Sequence, residues 1–154
     1  MSASVRPYLT TDKEACLALF DSNVPRYFDS SERTGFADFL DGPNGDYFVI
    51  EPGDEICGCG GFAAGDRGQA HFTWGMVDND RHGSGLGRML AEYRLHAIES
   101  SGQFQEVELF TTPQIVPFFA KFGFAKEGVE KDGFAPNMDK VQMIKKLNLT
   151  TQGP

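Results

Sequence analysis

Three shortages narrow what this chain can be. It has no run approaching the ~18 apolar residues of a membrane-spanning helix, and residues 1–7 carry neither the basic start nor the apolar stretch of a secretory signal. A cytoplasmic location without membrane attachment is expected. Cysteine is scarce: Cys16, Cys57 and Cys59 form no even disulfide framework, and no histidine or cysteine cluster completes a metal site around the last two. Reduced thiols and no metal are expected. Positive charge is also scarce, with 14 Lys and Arg against 22 Asp and Glu for a net charge of -8, which opposes binding to a polyphosphate backbone. Nucleic acid is therefore not an expected partner. An acidic surface suits a cationic partner, or serves solubility alone.

What is present is an ordinary globular composition, 154 residues with 40% hydrophobic and 23% charged, enough for one domain with a real core. Periodicity and turn residues predict a strand over 5–9, then a helix from a capping box at Thr11 and Glu14 to about Ser22 that buries Cys16, Leu19 and Phe20. A second helix starts at 29–32, faces inward with Phe36, Phe39 and Leu40, and ends at Gly42-Pro43. Three meander strands follow over 47–50, 56–63 and 69–77. A long helix then presents Leu86, Leu90, Tyr93 and Ala97 and stops at Ser101-Gly102. A strand over 107–111, a short helix over 117–122, and strands over 125–130 and 141–147 complete the chain. The fold class is α/β (α+β), a mixed, mostly antiparallel seven-stranded sheet with helices on both faces, in the order β-α-α-β-β-β-α-β-α-β-β. The expected domain spans 1–148, and 149–154 form a loose tail.

Most of the chemistry lies where the fourth strand meets the long helix. His82-Gly83-Ser84-Gly85-Leu86-Gly87-Arg88 places glycines at a helix start, where unsatisfied N–H groups and the positive end of the helix dipole favour an anion such as pyrophosphate. A Walker loop needs Lys-Ser or Lys-Thr after its last glycine, and here Arg88-Met89 follows. A dinucleotide fingerprint needs G-x-G-x-x-G, and the spacing here is G-x-G-x-G.

His82 to Gly87, after the strand exit Val77-Asp78-Asn79-Asp80-Arg81, resembles the [Q/R]-x-x-G-x-[G/A] motif of the GNAT superfamily of acyl-CoA-dependent N-acetyltransferases, and Phe118 to Phe124 resembles its second motif. His82 stands where the family has Gln or Arg, and Phe119 where many members have tyrosine. The resemblance implies acetyl-CoA as cosubstrate in a cleft between strands four and five, with pantetheine bonded along strand four like an added strand. It assigns cofactor contacts to Met76 and Val77, to His82, Gly83, Ser84, Gly85, Leu86, Gly87 and Arg88 at the pyrophosphate, and to Phe119 near the sulfur. Arg88 either adds charge there or is merely solvated.

The implied reaction is acetyl transfer to a primary amine of a small molecule or peptide. Attack needs a neutral amine and so a base, for which His71 and Glu108 are both candidates. Tyr27 and Trp74 are candidate acceptor-pocket residues, and Asp29, Glu32, Asp132 and Asp139 are acids expected to draw a cationic acceptor. A homodimer is compatible with this picture. Two other readings stay open: a CoA-binding regulatory module without transferase activity, suggested by Phe119, and a nucleotide-binding domain.

Overall fold

The hydrophobic and turn patterns become β1 (Ser4–Pro7), α1 (Lys13–Ser22), α2 (Arg33–Leu40), β2 (Asp46–Glu51), β3 (Gly58–Ala64), β4 (Gln69–Val77), α3 (Leu86–Ser101), β5 (Glu106–Thr111), α4 (Val116–Ala120), β6 (Ala125–Ala135) and β7 (Met138–Lys146) in a computed structural model that describes residues 4–147. The element order is the one expected. The tail over 149–154 lies outside the described residues.

The strands form one sheet in the order β1-β2-β3-β4-β5-β7-β6, and only β4 and β5 run parallel. A parallel pair needs a crossover, and α3 supplies it. On one face, Cys16, Leu17, Leu19 and Phe20 of α1 and Phe36 and Leu40 of α2 bury against Tyr47, Val49, Cys59 and Met76. A separate core joins Leu95 and Ile98 of α3 to Phe62, Ala70, Val107, Leu109 and Met143 of the sheet. Each fully buried large side chain contributes about 1.5–3 kcal/mol, so both faces help hold the sheet.

Three local expectations are corrected. The start of α1 is organised by Asp12 rather than by Thr11 and Glu14: the Asp12 carboxylate accepts the Leu9 N–H at 2.8 Å and two Arg6 guanidinium bonds at 2.9 and 3.0 Å. The buried face of α3 is Leu86, Leu90, Ala91, Arg94, Leu95 and Ile98, while Tyr93 is 40% exposed. Arg94 and Ile98 take the buried positions next to Tyr93 and Ala97, so the second half of the stripe is rotated by one residue. The last hairpin is longer than 125–130 and 141–147. Irregular pairing between Glu130 and Ala135 absorbs the extra residues, and the turn closes at Asn137 with φ 65°.

Candidate active site

β4 and β5 pair at Gln69 with Glu106, Ala70 with Val107, and His71 with Glu108, and no further. Beyond that rung they part. On its other side β4 remains tied to β3, but Trp74 and Gly75 both sit opposite Gly60, a bulge that bends β4 out of line. Trp74 takes φ 36°, a conformation costing on the order of 1–3 kcal/mol for a residue with a side chain. What holds it is aromatic packing, with ring centroids 5.0 Å from Phe36 and 6.3 Å from Phe28, and the Tyr47 hydroxyl donating to the Trp74 carbonyl at 2.7 Å. β5 is held on its far side by β7, with Leu109 opposite Met143 and Thr111 opposite Val141.

The gap continues into a cavity of about 630 Å³, walled by β4, β5, the starts of α3 and α4, and the segment from Asn23 to Glu32. The Asp78 N–H donates to the Cys57 carbonyl at 2.9 Å, so alternation makes Gly58 and Val77 a pair whose backbone groups point away from each other. Val77 thus faces the gap, and Met76, one step along, turns its backbone to Cys59 of β3. The Val77 carbonyl already accepts from Asn23 Nδ2 at 2.9 Å and meets His82 Nε2 at 3.1 Å. That leaves its N–H as the polar group free toward the gap. Of Met76 and Val77, only Val77 thus has its backbone turned to the gap, because neighbouring strand residues bond in opposite directions.

At the mouth, Gly83 and Gly85 have φ 86° and 92°, and a Cβ on either would meet open space. The N–H groups of Leu86, Gly87 and Arg88 begin α3 and have no carbonyl one turn back. Not all the motif's amides are free, since Ser84 N–H bonds the Arg81 carbonyl at 3.2 Å. The Ser84 hydroxyl also turns back to that carbonyl, and Leu86 packs in the core with Ile50, Cys57 and Val77. The Arg88 guanidinium, exposed at the rim, pairs with Glu92 at 3.0 Å. A pyrophosphate fits the helix start, and an extended amide chain fits the unpaired side of β4.

Among the other expected residues, Tyr27, Glu32, Trp74 and Phe119 line the cavity, and Tyr27 packs 5.0 Å from the His82 ring. His71 and Glu108 do not line it. They meet each other instead, Nδ1 to Oε1 at 2.6 Å, and Gln142 occupies the second Glu108 oxygen at 2.6 Å, so both carboxylate oxygens are spent at the closed end of the gap. Asp29 caps the turn before α2 by accepting from Ser31, while Asp132 and Asp139 bond the backbone of the last hairpin. Of the four expected acids only Glu32 faces the cavity. One of its oxygens accepts the Asp29 N–H at 2.9 Å, and burial raises its pKa above the ordinary carboxylate range. Sequence reasoning missed Thr73, Arg94, Thr112 and Lys140, which also line the cavity. Only Arg94 left a signal, a charge four residues beyond Leu90 in an apolar stripe.

Residues 43–126, more than half of the chain, match the family model of the acetyltransferase (GNAT) domain. The chain belongs to the GNAT acetyltransferase family. Solved structures agree on the fold of this GNAT protein. Ard1 from Thermoplasma volcanium is similar with TM-score 0.80 at 15% identity, over 96% of this chain and 99% of that one. The ribosomal-protein-S18-alanine N-acetyltransferase from Escherichia coli gives TM-score 0.80 at 16% identity, over 96% and 95%. An aminoglycoside 6'-N-acetyltransferase complexed with coenzyme A gives TM-score 0.74 at 14% identity, over 93% and 96%. No curated protein matches the sequence. Among the described residues no helix is long and apolar enough to cross a membrane, and no group of three metal-ligating side chains is found.

Proposed function

We propose that this protein is an N-acetyltransferase that moves an acyl group, acetyl in the simplest case, from coenzyme A to a primary amine of a small molecule or protein. One observation carries the reading: an unpaired stretch of β4 and a helix start cleared of side chains open on the same cavity. Acetyl-CoA supplies the acyl group, activated as a thioester. The amides at the start of α3 hold the pyrophosphate, and the Val77 N–H holds the arm that follows. Phe118 and Phe119 give that arm an apolar wall beside α4.

An alkyl ammonium must lose a proton before it can attack, and we assign the base to Glu32 rather than to His71 or Glu108. Glu32 lines the cavity and has one oxygen with no partner among the described residues, whereas both oxygens of Glu108 are bonded. The same carboxylate attracts a cationic acceptor. Tyr27, Phe28 and Trp74 enclose the acceptor's apolar part. A second reading, a CoA-binding regulatory module, draws support from Phe119, which has no hydroxyl to protonate a departing thiolate. A CoA thiol with pKa near ~8.5 leaves tolerably as thiolate, so transfer does not need that hydroxyl. Thiol release from acetyl-CoA with a panel of primary amines tests the proposal: amine-dependent release supports transfer, and tight CoA binding without release supports the regulatory module.

A further inference from the structure

Among the described residues, three buried side-chain polar atoms have no hydrogen-bond partner: Thr73 Oγ1, Thr112 Oγ1 and Arg94 Nε. All three belong to residues on the walls of this one cavity. A bare hydroxyl is a modest cost, but a desolvated guanidinium is not. Arg94 is 3% exposed, and its one hydrogen bond runs from Nη1 to the Gly61 carbonyl at a long 3.3 Å. Arg6, Arg33, Arg81 and Arg88 each pair with a carboxylate. Arg94, more deeply buried than any of them, pairs with no carboxylate among the described residues. Burial lowers its pKa to about 10, so it keeps its charge at neutral pH.

The fold also makes room for this cation. A Cβ on Gly75, in the β4 bulge, would come within 2.9 Å of Arg94 Nη2, and a Cβ on Gly60 would come within 3.3 Å of Nη1. Two glycines on facing strands thus leave the hollow that the guanidinium fills. Its Cζ lies over the Phe72 ring, 3.8 Å from the centre, and Phe72 in turn meets Phe119 edge to face at 6.2 Å. Phe72 directly follows the last paired rung, both rings line the cavity, and Arg94 itself lies about 12 Å along α3 from the helix start. A charged fork held there without its own carboxylate is a receptor for one.

Resting on the acyl-CoA reading above, we propose that Arg94 binds the far carboxylate of a short dicarboxylic acyl group, such as malonyl or succinyl, so that the donor this cavity takes best is a carboxyacyl-CoA. The carboxylate takes no part in bond making. It completes the guanidinium's hydrogen bonds and places the acyl chain.

Calorimetric titration without any acceptor tests this apart from catalysis. The probes are succinyl-CoA, its neutral isostere 4-methylpentanoyl-CoA, and CoA itself, on the wild-type protein and on Arg94→Met and Arg94→Lys. The wild type is expected to bind succinyl-CoA about tenfold or more tighter than the isostere. Arg94→Met should abolish that difference while binding CoA as before, and Arg94→Lys should keep part of it. Equal affinities in the wild type overturn the proposal, whether or not the variants fold, and so does a preference that survives in Arg94→Met. Failure of every CoA species to bind the wild type overturns the coenzyme reading itself, and this inference with it.

Discussion

The two ends of the gap between β4 and β5 treat buried polar groups in opposite ways. At the closed end Glu108 is 8% exposed and has both oxygens bonded, to His71 and to Gln142, each at 2.6 Å. Just beyond it, where the strands have parted, the hydroxyls of Thr73 and Thr112 and Nε of Arg94 are buried with no partner among the described residues. A polar group whose bonds are completed inside the protein fixes the backbone; one left incomplete on a cavity wall is completed by whatever enters. Histidine and glutamate are each candidates for the base from residue type alone. Their mutual bond and the Gln142 contact favour a structural role for them.

If that division holds, substitutions at the open end change binding and rate while those at the closed end change stability. The largest expected effect is at Glu32. Replacing Glu32 with Gln keeps the shape but removes the proton acceptor, and kcat should fall about a hundredfold or more. The carboxylate must be ionised to act, and its pKa is raised by burial, so the acidic limb of the wild-type kcat/KM profile should lie above the ordinary carboxylate range. That limb should vanish in Glu32→Gln. A profile unchanged by the substitution returns the role of base to another group.

Next in size is the helix start. Gly87 sits in the first turn of α3, where a Cβ would lie 3.5 Å from Phe118 and 3.9 Å from Val77, ordinary contact distances. A side chain is therefore tolerated by the fold, and an acid suits a helix N-terminus. Gly87→Glu should leave the melting temperature within a few degrees and weaken CoA binding about thirtyfold by putting like charge where the pyrophosphate belongs. Unchanged CoA affinity in calorimetry would remove the pyrophosphate from this loop.

How far the sequence could lead is visible in these same residues. The glycine loop was legible because glycine at a helix start has few uses, and the order of elements because strands and helices differ in period. The division between Glu32 and Glu108 was not. It depends on where β4 and β5 stop pairing, which follows from a bulge at Trp74 and from β7 entering beside β5, both set by long-range packing. Asp29, Asp132 and Asp139 look the same as Glu32 in sequence, yet they are spent on turns. Arg94 was readable only as an interruption of an apolar stripe, and Gly60, which helps to accommodate it, is 34 residues earlier in the chain.

At the closed end, Glu108→Gln should act on stability alone. The neutral amide loses the charge-assisted bond to His71 and must present an N–H to one of two groups that now donate, so unfolding stability should drop by about 1 to 2 kcal/mol. Chemical denaturation reads that loss, while kcat/KM, measured well below the new midpoint, should stay within about threefold. A large kinetic loss at unchanged stability would move Glu108 to the catalytic side.

The smallest effect is expected at Phe119, and it is informative because it is small. The ring packs edge to face on Phe118 at 5.0 Å and on Phe124 at 5.7 Å, and it is only half-buried against the cavity. A hydroxyl is a small addition to a half-buried ring on a cavity wall, so Phe119→Tyr should fold normally and bind CoA as before. If the thiolate leaves without an acid, as its pKa near ~8.5 allows, kcat should be unchanged or rise by no more than about threefold. A hydroxyl that restored a missing proton donor would instead raise kcat much more and add a basic limb to its pH profile, showing that proton delivery to sulfur limits the wild-type enzyme. A loss of CoA affinity would show that the ring is part of the packed core and that the cavity wall here tolerates no polar atom.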